Sequence, residues 1–285
     1  MQKFDLPFKA IHIQCLDQDG APIQNAYASG FVRKEGANLF LYSCWHVVTG
    51  FDMHNIRIGN QLPNRMSLRV TLQDADARQP GLTVVGGNQS LIVPLYDTSQ
   101  TPYIPLWSQD KKDVPQVDLN AINLRVPFWH DAVKLRLPAE LRVSDMQIIE
   151  ENRCFEHMLT PGDKLFVVGF PYCYSALGMD QPTPIVLTRF VAATRVSGRQ
   201  REILLDSAGA RGMSGGPVFV ETASGVFLVG LYTGLIYPDH VIEKNDRVTA
   251  LGTCCDMVLC WKHLSLEPCL AIDRANPAVN TDAAR

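Results

Sequence analysis

One serine sits inside a run that only small residues can bend: Arg211-Gly212-Met213-Ser214-Gly215-Gly216-Pro217. Glycine reaches backbone angles that other residues avoid, so Gly215 and Gly216 allow a sharp reversal directly after Ser214. Gly212 lets a carbonyl group come close to the backbone. Such a turn points the Ser214 hydroxyl outward and aims the N–H groups of Gly212 and Ser214 at one point beside it. Those are the needs of acyl transfer, a nucleophile next to a preorganised oxyanion site. The plainer alternative is a glycine-rich hairpin with an incidental serine.

Two unrelated frameworks use a run of this kind. Gly212-Met213-Ser214-Gly215-Gly216 satisfies the G-x-S-x-G elbow of an α/β-hydrolase esterase, which sits between a strand and a helix and takes its acid and histidine from later in the chain. His240 or His263 would then be the base. Pro217-Val218-Phe219-Val220, a proline before a β-branched and aromatic run, instead reads as a strand. That favours a β-barrel setting, with the partners upstream in the order His, Asp, Ser. Of seven histidines, His46 stands out. It ends the apolar, aromatic run from Asn38 to Trp45, which reads as a buried strand. A strand end fixed by packing is a firm mount for a general base. A core histidine satisfied by a carbonyl is the alternative.

Ser43-Cys44-Trp45-His46-Val47-Val48 resembles the histidine segment of trypsin-like (chymotrypsin-fold) serine proteases, and the stretch from Leu205 to Phe219 resembles their serine segment. The likeness is closest to the bacterial, HtrA-like branch, here without a PDZ domain, and covers roughly residues 10–240. It implies a serine endopeptidase with His46, an aspartate and Ser214 as triad, and with the Gly212 and Ser214 amides as oxyanion hole. In that family the acid opens a strand of the form Asp-aliphatic-x-Ala-aliphatic. Asp118-Leu119-Asn120-Ala121-Ile122 fits and is preferred, with Asn120 departing from the usual alanine. The competitor is Asp131, whose strand alternates charged Lys134 and Arg136 with apolar residues, as on a solvated strand. The resemblance also places a specificity pocket at Ala208, Tyr232 and Gly234. Ala208 stands where trypsin-type enzymes keep an acid, so a small or apolar residue is expected before the cut. Met213 stands where pancreatic members carry the aspartate of their activation switch. Control must then come from a regulatory protein partner, a loop that orders on binding, or narrow specificity. A catalytically silent module of the same fold, binding a partner, is the other reading.

The elements that must carry these residues are short strands. Twenty glycines and eighteen prolines spread among brief apolar runs suit an all-β protein, and the family implies two six-stranded antiparallel barrels. Residues 1–137 are expected to form the barrel carrying His46 and Asp118, and 138–160 a polar linker with a short helix. Residues 161–248 are expected to form the barrel carrying Ser214. An amphipathic helix is expected within 249–273, with Leu251, Met257, Val258 and Trp261 as contacts, and a disordered tail over 274–285. A net charge of −3 gives no footprint for nucleic acid, and no apolar run is long enough for a membrane span. The first residues, Met1-Gln2-Lys3-Phe4-Asp5-Leu6-Pro7, lack a hydrophobic signal region, so a cytoplasmic protein is expected. Eight cysteines, at 15, 44, 154, 173, 254, 255, 260 and 269, match no disulfide framework and no standard zinc spacing. Neither a metal nor a cofactor is expected, and the partner is a protein or peptide substrate.

Overall fold

The computed structural model describes residue 1 and residues 3–51, 58–79, 82–99, 103–109, 130–139, 141, 143–154, 158–176, 183–197, 200–207, 209–236, 251–256 and 267–268. The first half is built from β1 (Ile11–Leu16), β2 (Pro22–Glu35), β3 (Asn38–Ser43), the one-turn helix α1 (Trp45–Thr49), β4 (Arg65–Gln79) and β5 (Leu82–Pro94). The short strands β6 (Tyr96–Asp97), β7 (Ile104–Pro105), β8 (Trp107–Gln109), β9 (Val133–Arg136) and β10 (Ile148–Ile149) follow. The second half contains β11 (Lys164–Gly169), β12 (Ile185–Ser197), β13 (Gln200–Leu205), β14 (Pro217–Thr222), β15 (Gly225–Ile236) and β16 (Leu251–Asp256), with β17 (Glu267–Pro268) returning to the first.

The first half is a nine-stranded sheet in the order β17-β8-β9-β3-β2-β1-β4-β5, with β10 lying parallel on β2. Tyr96–Asp97 and Ile104–Pro105 pair as a short hairpin, β6–β7. The second half is a closed six-stranded barrel, β11-β12-β13-β16-β15-β14. The chain therefore adopts the all-β, two-barrel architecture of the chymotrypsin class, with very little helix; its first sheet has nine strands among the described residues rather than six.

Strand periodicity explains how the halves hold together. Side chains alternate faces along a strand. On β11, Leu165 and Val167 enter the core inside the second barrel, while Phe166 and Val168 join a cluster with Ile11, Phe31 and Trp45 of the first half. Likewise, on β14, Val218 and Val220 face inward and Phe219 faces the first half. Each of these segments reads as an unbroken apolar run because both faces are covered. Burying one such side chain contributes about 1.5–3 kcal/mol.

One local expectation is corrected. The helix expected to begin at Thr249 is a strand over its described part. β16 pairs with β13 on one side and β15 on the other, which closes the barrel. A short apolar run is ambiguous in period, and the two waiting edges decide it. Residues 257–266 lie outside the described ones. Between the halves, the expected short helix is a single 3₁₀ turn, Glu151–Arg153, directly after β10.

Candidate active site

β3 ends at Ser43, and His46 follows on α1 rather than on the strand itself. Gly50 caps this helix in the left-handed region, φ 77°, and donates its N–H to the His46 carbonyl at 2.9 Å. Trp45 anchors the near side, its indole N–H donating to Gln109 Oε1 at 3.0 Å; the Trp107 indole donates to the same oxygen at 3.0 Å. The helix therefore has little freedom to move, and neither does the imidazole it carries.

The carboxylate on that imidazole belongs to Asp131. Its Oδ2 lies 2.6 Å from His46 Nδ1, and its Oδ1 accepts the His46 backbone N–H at 3.0 Å. A carboxylate only accepts, so Nδ1 carries the proton and Nε2 presents its lone pair away from the acid. The Asp131 side chain is 8% exposed and that of His46 20%. The orienting contact on Nδ1 is made by Asp131, the competitor; the preferred Asp118 lies outside the described residues. The register of β9 on β3 brings this about. Ser43 pairs with Val133, so the residues just before Val133 run alongside those just after Ser43. The charged alternation that counted against Asp131 is the outer face of β9. Lys134 bonds Glu35 and Arg136 bonds Asn38, while Val133 and Leu135 are buried.

The serine turn has the backbone its glycines imply. Gly212 has φ +92° and Gly215 φ +84°, both in the region that favours glycine. A Cβ at Gly212 would collide with the Phe170 carbonyl, and one at Gly215 with the Ser29 carbonyl and the Ser43 hydroxyl. Carbonyl directions then fix amide directions, because C=O and N–H point opposite ways across a trans peptide. The Arg211 carbonyl accepts from Tyr172 N–H at 2.6 Å, so the Gly212 N–H faces away from Tyr172. The Met213 carbonyl accepts from Gly216 N–H at 2.9 Å, which turns the Ser214 N–H outward in the same manner. Among the described residues, neither of these two amides donates to a backbone carbonyl.

Ser29, fully buried on β2, ties this turn to the first half. Its Oγ donates to the Gly212 carbonyl at 2.7 Å and accepts from Phe170 N–H at 3.0 Å. Its N–H donates to the Ser214 carbonyl at 2.9 Å, and its carbonyl accepts from Ser43 Oγ at 2.9 Å. A second tie runs through the Tyr232 carbonyl, which accepts from Gly215 N–H at 2.7 Å and from Cys44 Sγ at 3.4 Å. Gly212, Ser214 and Gly215 are therefore pinned to groups on, or bonded to, the segment that leads into His46. Nothing in the sequence singled out Ser29.

Met213 is fully buried in the core of the second barrel. The Tyr232 ring is 2% exposed, and its hydroxyl accepts the Gly209 N–H at 2.8 Å, so it fills space behind that loop. Gly234 sits at a bulge with φ +158° and open space around its Cα, and Ala208 lies outside the described residues. β14 follows Ser214 as a strand, which removes the strand-to-helix elbow of an α/β-hydrolase.

No protein-family model and no curated protein matches the chain. Among solved structures, the chain is similar to a serine endoprotease from Yersinia pestis, with 15% identity and a TM-score of 0.47. The match covers 91% of this chain and 62% of that one. It is also similar to the active form of the Rv3671c protease from M. tuberculosis, with 12% identity and a TM-score of 0.45, covering 94% of this chain and 86% of that one. These structural neighbours are serine proteases. Among the described residues no helix is long and apolar enough to cross a membrane.

Proposed function

We propose that the chain is a serine endopeptidase working through an acyl-enzyme. Ser214 attacks the peptide carbonyl. His46 takes its proton on Nε2 and returns it to the leaving amine, and Asp131 holds the imidazole and stabilises its charged form. The Gly212 and Ser214 amides receive the oxyanion. The observation that carries this reading is the two-point clasp of Asp131 on His46 beside a serine turn with two outward amides. The substrate is a protein or peptide, laid as an extended segment in the cleft between the halves. The buried Tyr232 ring supports a small or apolar residue before the cut, in a pocket that Ala208 and Gly234 would complete. Four described cysteines, Cys15, Cys44, Cys154 and Cys173, are thiols outside any disulfide, which suits a reducing compartment such as the cytoplasm.

A fluorophosphonate probe tests the nucleophile directly. Wild-type protein is expected to label at Ser214, and Ser214→Ala to label not at all; label persisting in the variant would sink the assignment. In a peptide turnover assay the same variant should lose on the order of 10⁶ in rate. A silent binding module would give no labelling of the wild type.

A further inference from the structure

Behind the proposed base lies a thiol that takes no part in the proposed proton transfers. Cys44 Sγ, a ring nitrogen of His46 and a carboxylate oxygen of Asp131 all lie within 4.8 Å of one another. Thiolate, imidazole and carboxylate are the three ligand types that zinc takes, and catalytic or regulatory zinc sites use three protein ligands and leave a fourth position open. With bonds of about 2.0–2.3 Å, tetrahedral donors stand about 3.5 Å apart, so His46 Nδ1 and Asp131 Oδ2, 2.6 Å apart with a proton between them, open by roughly 1 Å to admit an ion, and Cys44 Sγ completes the set.

We propose that Cys44, His46 and Asp131 form an inhibitory zinc site, so that zinc switches the hydrolase off. The inference rests on the proposed role of His46 as base. Charge favours it. Cys44 is fully buried and the Asp131 side chain is 8% exposed, so the site has little water to screen the carboxylate charge. A doubly positive ion, one thiolate and one carboxylate sum to zero. The step balances: zinc binds, the Cys44 thiol releases one proton to solvent, and zinc takes the lone pair of His46 Nδ1 while the proton held there moves to Nε2. A protonated Nε2 has no lone pair to accept the Ser214 proton, so the base is blocked without any change at the serine. The way in is past His46, the most exposed of the three ligands. Such a device supplies the control that Met213 withholds.

The test uses full-length protein and zinc alone. Micromolar zinc is expected to slow fluorophosphonate labelling at least tenfold, a chelator to restore it, and Cys44→Ala to lose this sensitivity, each protein being compared with its own metal-free rate. Inhibition equal in wild type and Cys44→Ala would overturn the proposal, because the ion would then sit on His46 without the thiol. Cys44→Ser, with a hydroxyl that ligates zinc poorly, gives the same contrast should the alanine variant not fold. Cobalt in place of zinc, added to Ser214→Ala protein, should raise a thiolate-to-cobalt absorption band that vanishes on removing Cys44. This band does not depend on catalysis, so it separates failure of the metal site from failure of the serine reading. Its absence with Cys44 present would also overturn the site.

Discussion

Asp131 holds both the backbone N–H and the ring of His46, and that double grip sets what its replacement should do. In Asp131→Asn, an amide NH₂ facing Nδ1 would drive the proton to Nε2, the wrong tautomer for a base. The expected loss in kcat is on the order of 10⁴, as for removal of a triad carboxylate elsewhere. Asp118→Asn should stay within a few-fold of wild type; steady-state kinetics on the two variants check this, and the reverse ranking would return the role to Asp118. The histidine and the serine were legible in the chain because their signals are local, an aromatic run before one and glycines around the other. The acid was not, because two aspartates head similar runs and only the cross-strand pairing of β9 with β3 selects between them. The alternation of Lys134 and Arg136 was visible, but it describes the outer face of β9 and says nothing about the residue that opens it.

At the level of elements, the serine turn and β2 act as one unit through Ser29. In Ser29→Ala the Gly212 carbonyl loses its donor and the Phe170 amide its acceptor, both in a buried place, at about 1–3 kcal/mol for each unsatisfied group. The peptide carrying the Gly212 carbonyl is then free to turn, and the oxyanion amides lose their aim. The expected outcome is a fall in kcat on the order of 10², comparable with loss of one oxyanion donor. KM should change little. A peptide boronate, which mimics the tetrahedral intermediate, should bind correspondingly worse while an uncleaved peptide binds as before; equal weakening of both would mean that Ser29 is merely structural. The strands of both halves were legible from apolar runs and turn residues. β16 was not, since its helical pattern was overruled by two unpaired barrel edges that appear only in three dimensions.

Across the whole molecule, the halves share one apolar cluster, and a titratable group, His12, lies buried where they meet. His12 on β1 is 3% exposed, packs edge-on against Phe170 at 5.3 Å, and has its Nε2 3.1 Å from Cys173 Sγ. Burial, assisted by the charge of Arg69, lowers its pKa from 6.5 to about 4. Above pH 6.5 neither the folded nor the unfolded form binds the proton, and the stability is complete. Between pH 6.5 and 4 the unfolded chain binds it and the folded one does not, so stability falls as pH falls, by about 3 kcal/mol in all. Denaturant midpoints measured across this window should drop, and His12→Gln should flatten that slope; an unchanged slope in the variant would assign the acid sensitivity to other groups.

The Ser29 hydroxyl reaches across 183 positions of sequence to hold the Gly212 carbonyl. Synthesis runs from the first half to the second, so the strand that shapes the serine turn is made long before the turn itself. The turn cannot acquire its working form until the second half has closed against the first. The proposed activity would thereby be deferred to the end of folding: a nascent or half-assembled chain carries every residue of the proposed chemistry and none of its geometry. Chain topology would then hold the proposed chemistry back until the fold is complete.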